Sequence, residues 1–273
     1  MKVSILVVLY SCEIYRSKTI QTLISSGVEG GRLVVWNNGP RVLKEWDVTA
    51  LKSSGFDDVV VIETIDNIAL SKIYNDFMVR WSADRYVFLD HDSTLNTGYL
   101  EEIFCDAPIN IGVPLIEVLG EVRSPTIKGG FREGPYFDRD QFVAIGSGLI
   151  LGAKAVRLLE DRFTKVFDER FYLYGVDTVF FFRIRIAGMS NLIKVIGGFE
   201  HSLSRLEEES LAVKKFRKIE RSYDIGLSAR YYFTQSKLLL IKALIKRCLG
   251  FDTYSLRSIL KAAVIGRHYR DKK

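Results

Sequence analysis

Cysteine and histidine are scarce in this chain of 273 residues, with three of each. Cys12, Cys105 and Cys248 are odd in number, far apart and without a CxxC pair. That excludes a disulfide framework and a cysteine zinc knuckle, and fits a reducing compartment. No segment approaches the ~20 apolar residues of a membrane span. The N-terminal run Val3–Tyr10, broken by Ser11, Cys12 and Glu13, is too short for a signal-peptide core and reads as a buried first strand. No Gly-Lys-Ser/Thr phosphate loop is present. Gly146-Ser147-Gly148 with Gly152 has GxGxxxG spacing in mid-chain and no acidic ribose reader after it, which excludes a nicotinamide-type fingerprint. Neither internal repeats nor a low-complexity linker occur. These absences leave a cytoplasmic, soluble or peripheral protein, built as one large domain or one domain with an appendage. A chain of this size buries roughly three quarters of its unfolded surface.

What is present is, first, an alternation. The runs Val3–Tyr10, Leu33–Trp36, Val59–Ile62 and Tyr86–Leu89 have strand character, and amphipathic stretches lie near Ser17–Ser25, Arg41–Ser53 and Ala69–Trp81. This spacing predicts βαβ units and a parallel sheet covered on both faces. Trp36-Asn37-Asn38-Gly39-Pro40 forms a sharp turn after the second run. Further along, Ile111–Val118 and Glu121–Ile127 read as shorter strands, Lys128–Pro135 as a glycine-rich, partly charged loop, and Gln141–Ile145 as a strand leading to Gly146-Ser147-Gly148. Helices are expected from about Ala153, from Asp177 to Ala187 with a stop at Gly188, and from about Glu207 onward.

The fourth run ends in Asp90-His91-Asp92. In an extended backbone residues i and i+2 share a face, so both carboxylates converge and His91 points the other way. Paired carboxylates call for a compensating cation or donors, and hard divalent cations favour oxygen ligands. In α/β sheets ligands bind at the carboxyl ends of strands. Position and chemistry together point to a metal-assisted phosphate site. Asp177, after the aromatic segment Phe167–Gly175, reads either as a helix N-cap or as a general base at a pocket rim. Gly146-Ser147-Gly148 reads either as a plain strand-to-helix turn or as a turn whose amides face a ligand. His201 follows the apolar run Leu192–Phe199 and reads as a surface or core histidine, or as a ligand.

In order, these pieces resemble the family 2 glycosyltransferases, over roughly residues 1–205. The resemblance rests on Val3–Tyr10, Val35-Trp36-Asn37-Asn38-Gly39, Asp66-Asn67-Ile68-Ala69-Leu70 with Asn75, Phe88–Ser93, Ile145–Gly148, Tyr174-Gly175-Val176-Asp177 with Arg183, and Phe199-Glu200-His201. It implies an α/β GT-A fold, Rossmann-like, with a mostly parallel central sheet flanked by helices. The implied catalytic domain spans 1–205, with a nucleotide-binding half to about 95 and an acceptor half from about 96, and a basic helical tail covers 206–273. The resemblance further implies an inverting transfer dependent on Mg²⁺ or Mn²⁺. Asp90, Asp92 and His201 would hold the metal, and Asp177 would be the base. Leu9, Tyr10, Asn37, Asp66, Asn67, Asp90, His91, Asp92, Ser147 and Gly148 would contact the nucleotide sugar. Leu89-Asp90-His91-Asp92-Ser93 is similar to the pattern of bacterial rhamnosyltransferases of polysaccharide and O-antigen assembly. It implies dTDP-rhamnose as donor and a lipid-linked or polysaccharide acceptor. A UDP-hexose or UDP-galactofuranose donor is the alternative, and a non-catalytic carbohydrate-binding or scaffold protein is the alternative of another class. Sugar-nucleotide synthesis is disfavoured because Met1–Lys18 lacks a glycine-rich basic loop. Ala69, Asn37 and Val176 depart from the family's usual glycine, aspartate and glutamate.

The overall formal charge of +6 resides in the tail, where Lys237–Lys273 carries ten Lys and Arg against Asp252 and Asp271. Leu238–Ile241, Ala243–Ile245, Leu256, Ile259-Leu260 and Ala263-Val264 interleave with these charges at helical spacing. Such helices either lie on a membrane surface or form a hairpin packed on the catalytic domain or an oligomer contact, with a solvated basic face. No pattern of a nucleic-acid binder accompanies the charge.

Overall fold

A computed structural model describes residues 1–44, 51, 54–132, 134–201 and 210–271. The expected amphipathic stretch Arg41–Ser53 falls mostly outside them. Among the described residues nine strands make one sheet: β1 (Val3–Leu9), β2 (Arg32–Asn37), β3 (Asp58–Glu63), β4 (Arg85–Asp90), β5 (Ser93–Thr94), β6 (Ile111–Val118), β7 (Glu121–Ser124), β8 (Leu149–Gly152) and β9 (Ile193–His201). Their order is β3-β2-β1-β4-β8-β6-β9-β5, with β7 on β6. The described helices are α1 (Lys18–Ser25), α2 (Leu70–Arg80), α3 (Thr97–Phe104), α4 (Ala153–Phe163), α5 (Gly175–Ile186), α6 (Leu211–Tyr231), α7 (Phe233–Cys248) and α8 (Leu256–Ile265).

The first four strands are parallel, as the alternation predicts. β1 is buried at every position, which is why its sequence shows no apolar/polar alternation. Beyond β4 the sheet changes character: β8 runs antiparallel to β4 and β6, and β9 is parallel to β6. The sheet is thus mostly parallel but not purely so.

One expectation is corrected, and one helix is added. Gln141–Ile145 is not a strand. Gln141 has a left-handed backbone, φ +48°, after a short turn of 3₁₀ helix, and Val143 makes only an isolated bridge to Thr126. The strand is instead the four-residue run after Gly148. Helix α3 was not foreseen; its N-cap is Asn96, whose side chain accepts from the Tyr99 amide.

Contacts divide the chain into two units. The first comprises Met1–Ile68, Ile73–Val166 and Ile184–Leu203, and holds the sheet. One face of that sheet packs Val3, Ile5, Val7, Leu9, Val87 and Leu89 with Ile20, Leu23, Tyr99 and Ile103. The second unit comprises Ala69–Lys72, Phe167–Arg183 and Ser204–Lys273. Within it α8 packs closely on α6: a Cβ at Gly226 would lie 2.2 Å from the Ile259 carbonyl oxygen, so only glycine allows the approach. No described helix is long and apolar enough to cross a membrane.

Candidate functional site

The parallel registers bring three strand ends to one level. Leu9 pairs with Asn37, and Val8 with Asp90. Asp90 is the last residue of β4, whereas His91 and Asp92 form a turn before β5. Strand alternation therefore does not set the direction of Asp92; the turn does. Hydroxyl groups fix that turn. The Ser17 hydroxyl caps α1 by accepting from the Ile20 amide, and donates to the His91 carbonyl at 2.9 Å. The Thr19 hydroxyl donates to the Asp90 carbonyl at 2.5 Å and accepts from the Ser93 amide at 3.0 Å. From the other side the Asp90 amide donates to the Ser147 hydroxyl at 3.1 Å, and the Ser147 and Ser93 hydroxyls lie 3.2 Å apart. All four hydroxyl residues are buried. The pattern did not reveal Ser17, Thr19 or Ser93, although a serine just before an amphipathic run is a cap signal.

A second polar lattice holds the turn after β2. Asn38 donates to the Ile68 carbonyl and accepts from the Ile68 amide and the Thr64 hydroxyl, which ties it to the loop before α2. Asn67, in that loop, has φ +51° and lies 3.3 Å from the Asn38 amide nitrogen. Gly39 has φ +89°, and a Cβ there would lie 2.3 Å from the Ile65 carbonyl oxygen. Its own carbonyl accepts from the Ser11 amide. Asn37 is 1% exposed. Its amide nitrogen donates to the Arg41 carbonyl and the Glu63 carboxylate, and its oxygen accepts from the Gly39 amide. Both Asn37 donors are thus used internally, one by the turn and one by Glu63 at the end of β3. Leu9 is buried, while Tyr10 and Asp66 are exposed.

Beside this second lattice a cavity of about 290 Å³ opens, lined by Ser11, Cys12, Arg16, Asn37, Gly39 and Lys44 among others. Burial raises the Cys12 thiol above its ordinary pKa, and the neighbouring Asp92 carboxylate adds to the rise. Of the residues expected at the nucleotide site, Asn37 lines this cavity.

Gly148, at φ +83°, leaves no room for a side chain: a Cβ would lie 2.6 Å from both Phe199 and Pro114. Its amide donates to the Phe88 carbonyl and its carbonyl accepts from the Tyr99 hydroxyl. Both contacts are internal. The β5–β9 register sets His201 opposite Ser93, one residue from Asp92; the His201 side chain lies outside the described residues. Among the described residues no three His, Cys, Asp or Glu side chains converge as a metal cage. Two carboxylates at a strand end suit Mg²⁺ or Mn²⁺ nonetheless, because Mg²⁺ is usually held by one or two carboxylates plus substrate phosphates.

In the second unit Asp177 is the third residue of α5. It lies inside the first turn, where a carboxylate complements the helix dipole, and is not the N-cap. Gly175 starts the helix beside Asp224 of α6, and a Cβ at 175 would lie 2.8 Å from the Asp224 carboxyl carbon. Asp224 is buried, and neither of its oxygens completes a hydrogen bond of normal geometry. Burial, reinforced by Glu220, raises its pKa well above the ordinary value; Asp177 adds to the rise, while the Gly175 amide and Arg221 oppose it. Before α5, Asp168 accepts from Arg170 and from Tyr232, at 2.7 Å, and lies 3.2 Å from Arg183. Arg183 also donates to the Tyr232 hydroxyl at 2.8 Å. Burial and then Asp168 push that hydroxyl up to about 12.

The sequence matches no protein-family model and no curated protein. Solved structures do match. Residues 1–349 of TarS from S. aureus superpose with a TM-score of 0.52 at 14% identity, covering 98% of this chain and 93% of that one. Against a longer TarS structure the TM-score is 0.54 at 14% identity, with 85% of this chain and 40% of that one covered. Glucosyl-3-phosphoglycerate synthase from Mycobacterium tuberculosis, solved with Mg²⁺ and uridine diphosphate, gives 0.52 at 13% identity, covering 84% and 78%. The fold of this chain is therefore the α/β GT-A architecture, carried with C-terminal helices.

Proposed function

We propose that this protein is an inverting, metal-dependent glycosyltransferase that takes its sugar from a nucleoside diphosphate. The observation that carries the reading is the Asp90-His91-Asp92 turn. It is held on both sides by buried hydroxyls, at the carboxyl ends of parallel strands. Such a turn presents carboxylates at a fixed place without reorganisation.

Asp90 and Asp92, with His201, are the proposed holders of Mg²⁺ or Mn²⁺. A bound divalent ion supplies neutralisation of the charge that develops on the departing diphosphate. Leu9, Tyr10, Asn37, Asp66 and Asn67 are assigned to the base and ribose side, and His91, Ser147 and Gly148 to the diphosphate-sugar side. For Asn37, Ser147 and Gly148 the assignment is chiefly one of wall and scaffold, given their internal hydrogen bonds. Asp177 takes the proton from an acceptor hydroxyl as it attacks the anomeric carbon. One displacement inverts that carbon, and no carboxylate nucleophile is needed. The acceptor is a lipid-linked or polysaccharide intermediate of a bacterial surface glycan.

Two donor classes compete. Leu89–Ser93 supports dTDP-rhamnose. Two structural neighbours, TarS in complex with UDP-GlcNAc and the mycobacterial synthase in complex with UDP-glucose, support a UDP-hexose. The test is release of nucleoside diphosphate from a panel of sugar nucleotides with Mn²⁺ or Mg²⁺ and a lipid-linked acceptor mixture. Turnover with one donor class decides between them, and no turnover with any donor overturns the enzyme reading. Asp177→Asn is expected to abolish transfer while donor binding persists; equal loss of binding would remove Asp177 from the role of base.

A further inference from the structure

Helix α7 is an unusual surface element. Of its sixteen residues only Ser236 and Ala243 are buried, with Gln235 and Leu240 half-buried. At 236, 240 and 243 these define one narrow inner stripe of mainly small side chains. The opposite stripe is Leu238, Ile241 and Ile245, continued by Leu249 just past the helix end. These side chains are 49%, 48%, 52% and 68% exposed. Spacings of three, four and four put all four on one face. Lys242 and Lys246 flank that face on one side and Lys237 on the other, and all three are exposed. α8 repeats the arrangement on a smaller scale. Ile259 and Ala262 face inward, whereas Leu260 and Val264, 65% and 75% exposed, face outward beside Arg257 and Lys261. Neither helix contains an aspartate or glutamate.

We propose that the outer stripe of α7, assisted by that of α8, seats the protein on an anionic lipid bilayer, with α7 lying in the plane of the interface. An aqueous face with four neighbouring large aliphatic side chains lacks a solvent that suits it. Water suits the lysine ammonium groups, whose alkyl stems can lie along the aliphatic surface while the charges reach lipid phosphates. That combination matches the boundary between acyl chains and anionic headgroups. A second copy fits less well, because joining two such faces brings lysine rows of like sign together. An acidic protein would satisfy the lysines but has no need of the aliphatic stripe. At roughly 1.5 Å per residue α7 is about 24 Å long, so it lies on a bilayer and does not span it. The proposal is independent of the donor chemistry and of Asp177.

The test is co-sedimentation of the full chain with phosphatidylcholine vesicles, with and without roughly 30% phosphatidylglycerol. Binding is expected only to the anionic vesicles and is expected to weaken as salt is raised. Ile241→Glu with Ile245→Glu is expected to lower the partition coefficient about tenfold or more, and Lys242→Glu with Lys246→Glu to do the same. All four positions are exposed, so circular dichroism should report unchanged folding. Leu119→Glu, at an 82% exposed site in the β6–β7 turn, is the control and should bind as the parent does. Binding that is absent, indifferent to lipid charge, or unaltered by both double substitutions overturns the proposal. So does sedimentation equilibrium showing a dimer that Ile241→Glu with Ile245→Glu converts to monomer, since a second copy would then own the face.

Discussion

Replacing Thr19 by valine tests whether the carboxylate turn depends on its hydroxyl scaffold. Valine keeps the shape and removes one oxygen. That oxygen is fully buried, donates to the Asp90 carbonyl and accepts from the Ser93 amide. Each buried polar group left without its partner costs about 1–3 kcal/mol. Two such groups give a loss of roughly 2–4 kcal/mol, allowing for partial relaxation. Thr19→Ser keeps the oxygen and loses a methyl group, a cost of about 1 kcal/mol. Urea unfolding followed by circular dichroism should therefore rank parent, Ser and Val in that order. Asp90 and Asp92 flank the loosened segment. Calorimetric titration with nucleoside diphosphate and Mn²⁺ should accordingly show affinity about tenfold weaker in Val and near the parent in Ser, tenfold being about 1.4 kcal/mol. Indistinguishable Val and Ser variants, in both stability and binding, would refute the idea that this hydroxyl sets the turn.

Gly39→Ala combines positive φ with a Cβ 2.3 Å from the Ile65 carbonyl oxygen; a loss of about 3 kcal/mol or more is expected, read as a lowered Tm and weaker nucleotide binding. Tyr232→Phe removes the hydroxyl shared by Asp168 and Arg183 and should cost roughly 1–3 kcal/mol in urea unfolding, with a parent-like midpoint counting against that network. Asp224→Asn tests the buried acid against Glu220 and Arg221 on α6 and Asp177 on α5. Its folded pKa is raised, so its stabilising contribution is complete below the unfolded value and is lost as pH rises through the folded one. The variant should then gain in Tm over the parent at pH 8 and converge with it toward pH 4; a difference that does not change with pH would show that Asp224 does not titrate in this way.

The strands that carry the site were legible because burial on both faces writes itself as unbroken apolar runs. Val3–Leu9 and Tyr86–Leu89 could be read directly, and the carboxylates after the second run followed. The second half of the sheet was harder. Gln141–Ile145 has the composition of a strand, but Asp140 accepts from the Phe137 amide and closes a short turn that sends the chain into a left-handed residue. The true strand is the four residues Leu149–Gly152 directly after Gly148, below the length at which a pattern forms. The scaffold beneath Asp90 was invisible for another reason. Ser17 and Thr19 lie more than seventy residues from the backbone groups they hold, and single hydroxyl residues leave no periodic trace. Asn37 shows the converse: its place in the turn was readable, but not that both its donors would be taken by Arg41 and Glu63.

The tail offered two readings from sequence, a packed hairpin or an interfacial helix, and the geometry within the second unit makes them compatible. α8 packs on α6 through Ile259 and Ala262 at Gly226, and α7 through small residues at 236 and 243, so each helix has a docked stripe and keeps an aliphatic one exposed. Docking also ties these helices to the segment that carries Asp177. Tyr232 bonds Asp168 and Arg183, on either side of it in sequence, and Asp224 abuts Gly175 at the start of its helix. Two buried acids are thus held against one short segment by residues of α6 and the junction to α7. A packed polar network of this kind has discrete arrangements and does not deform continuously.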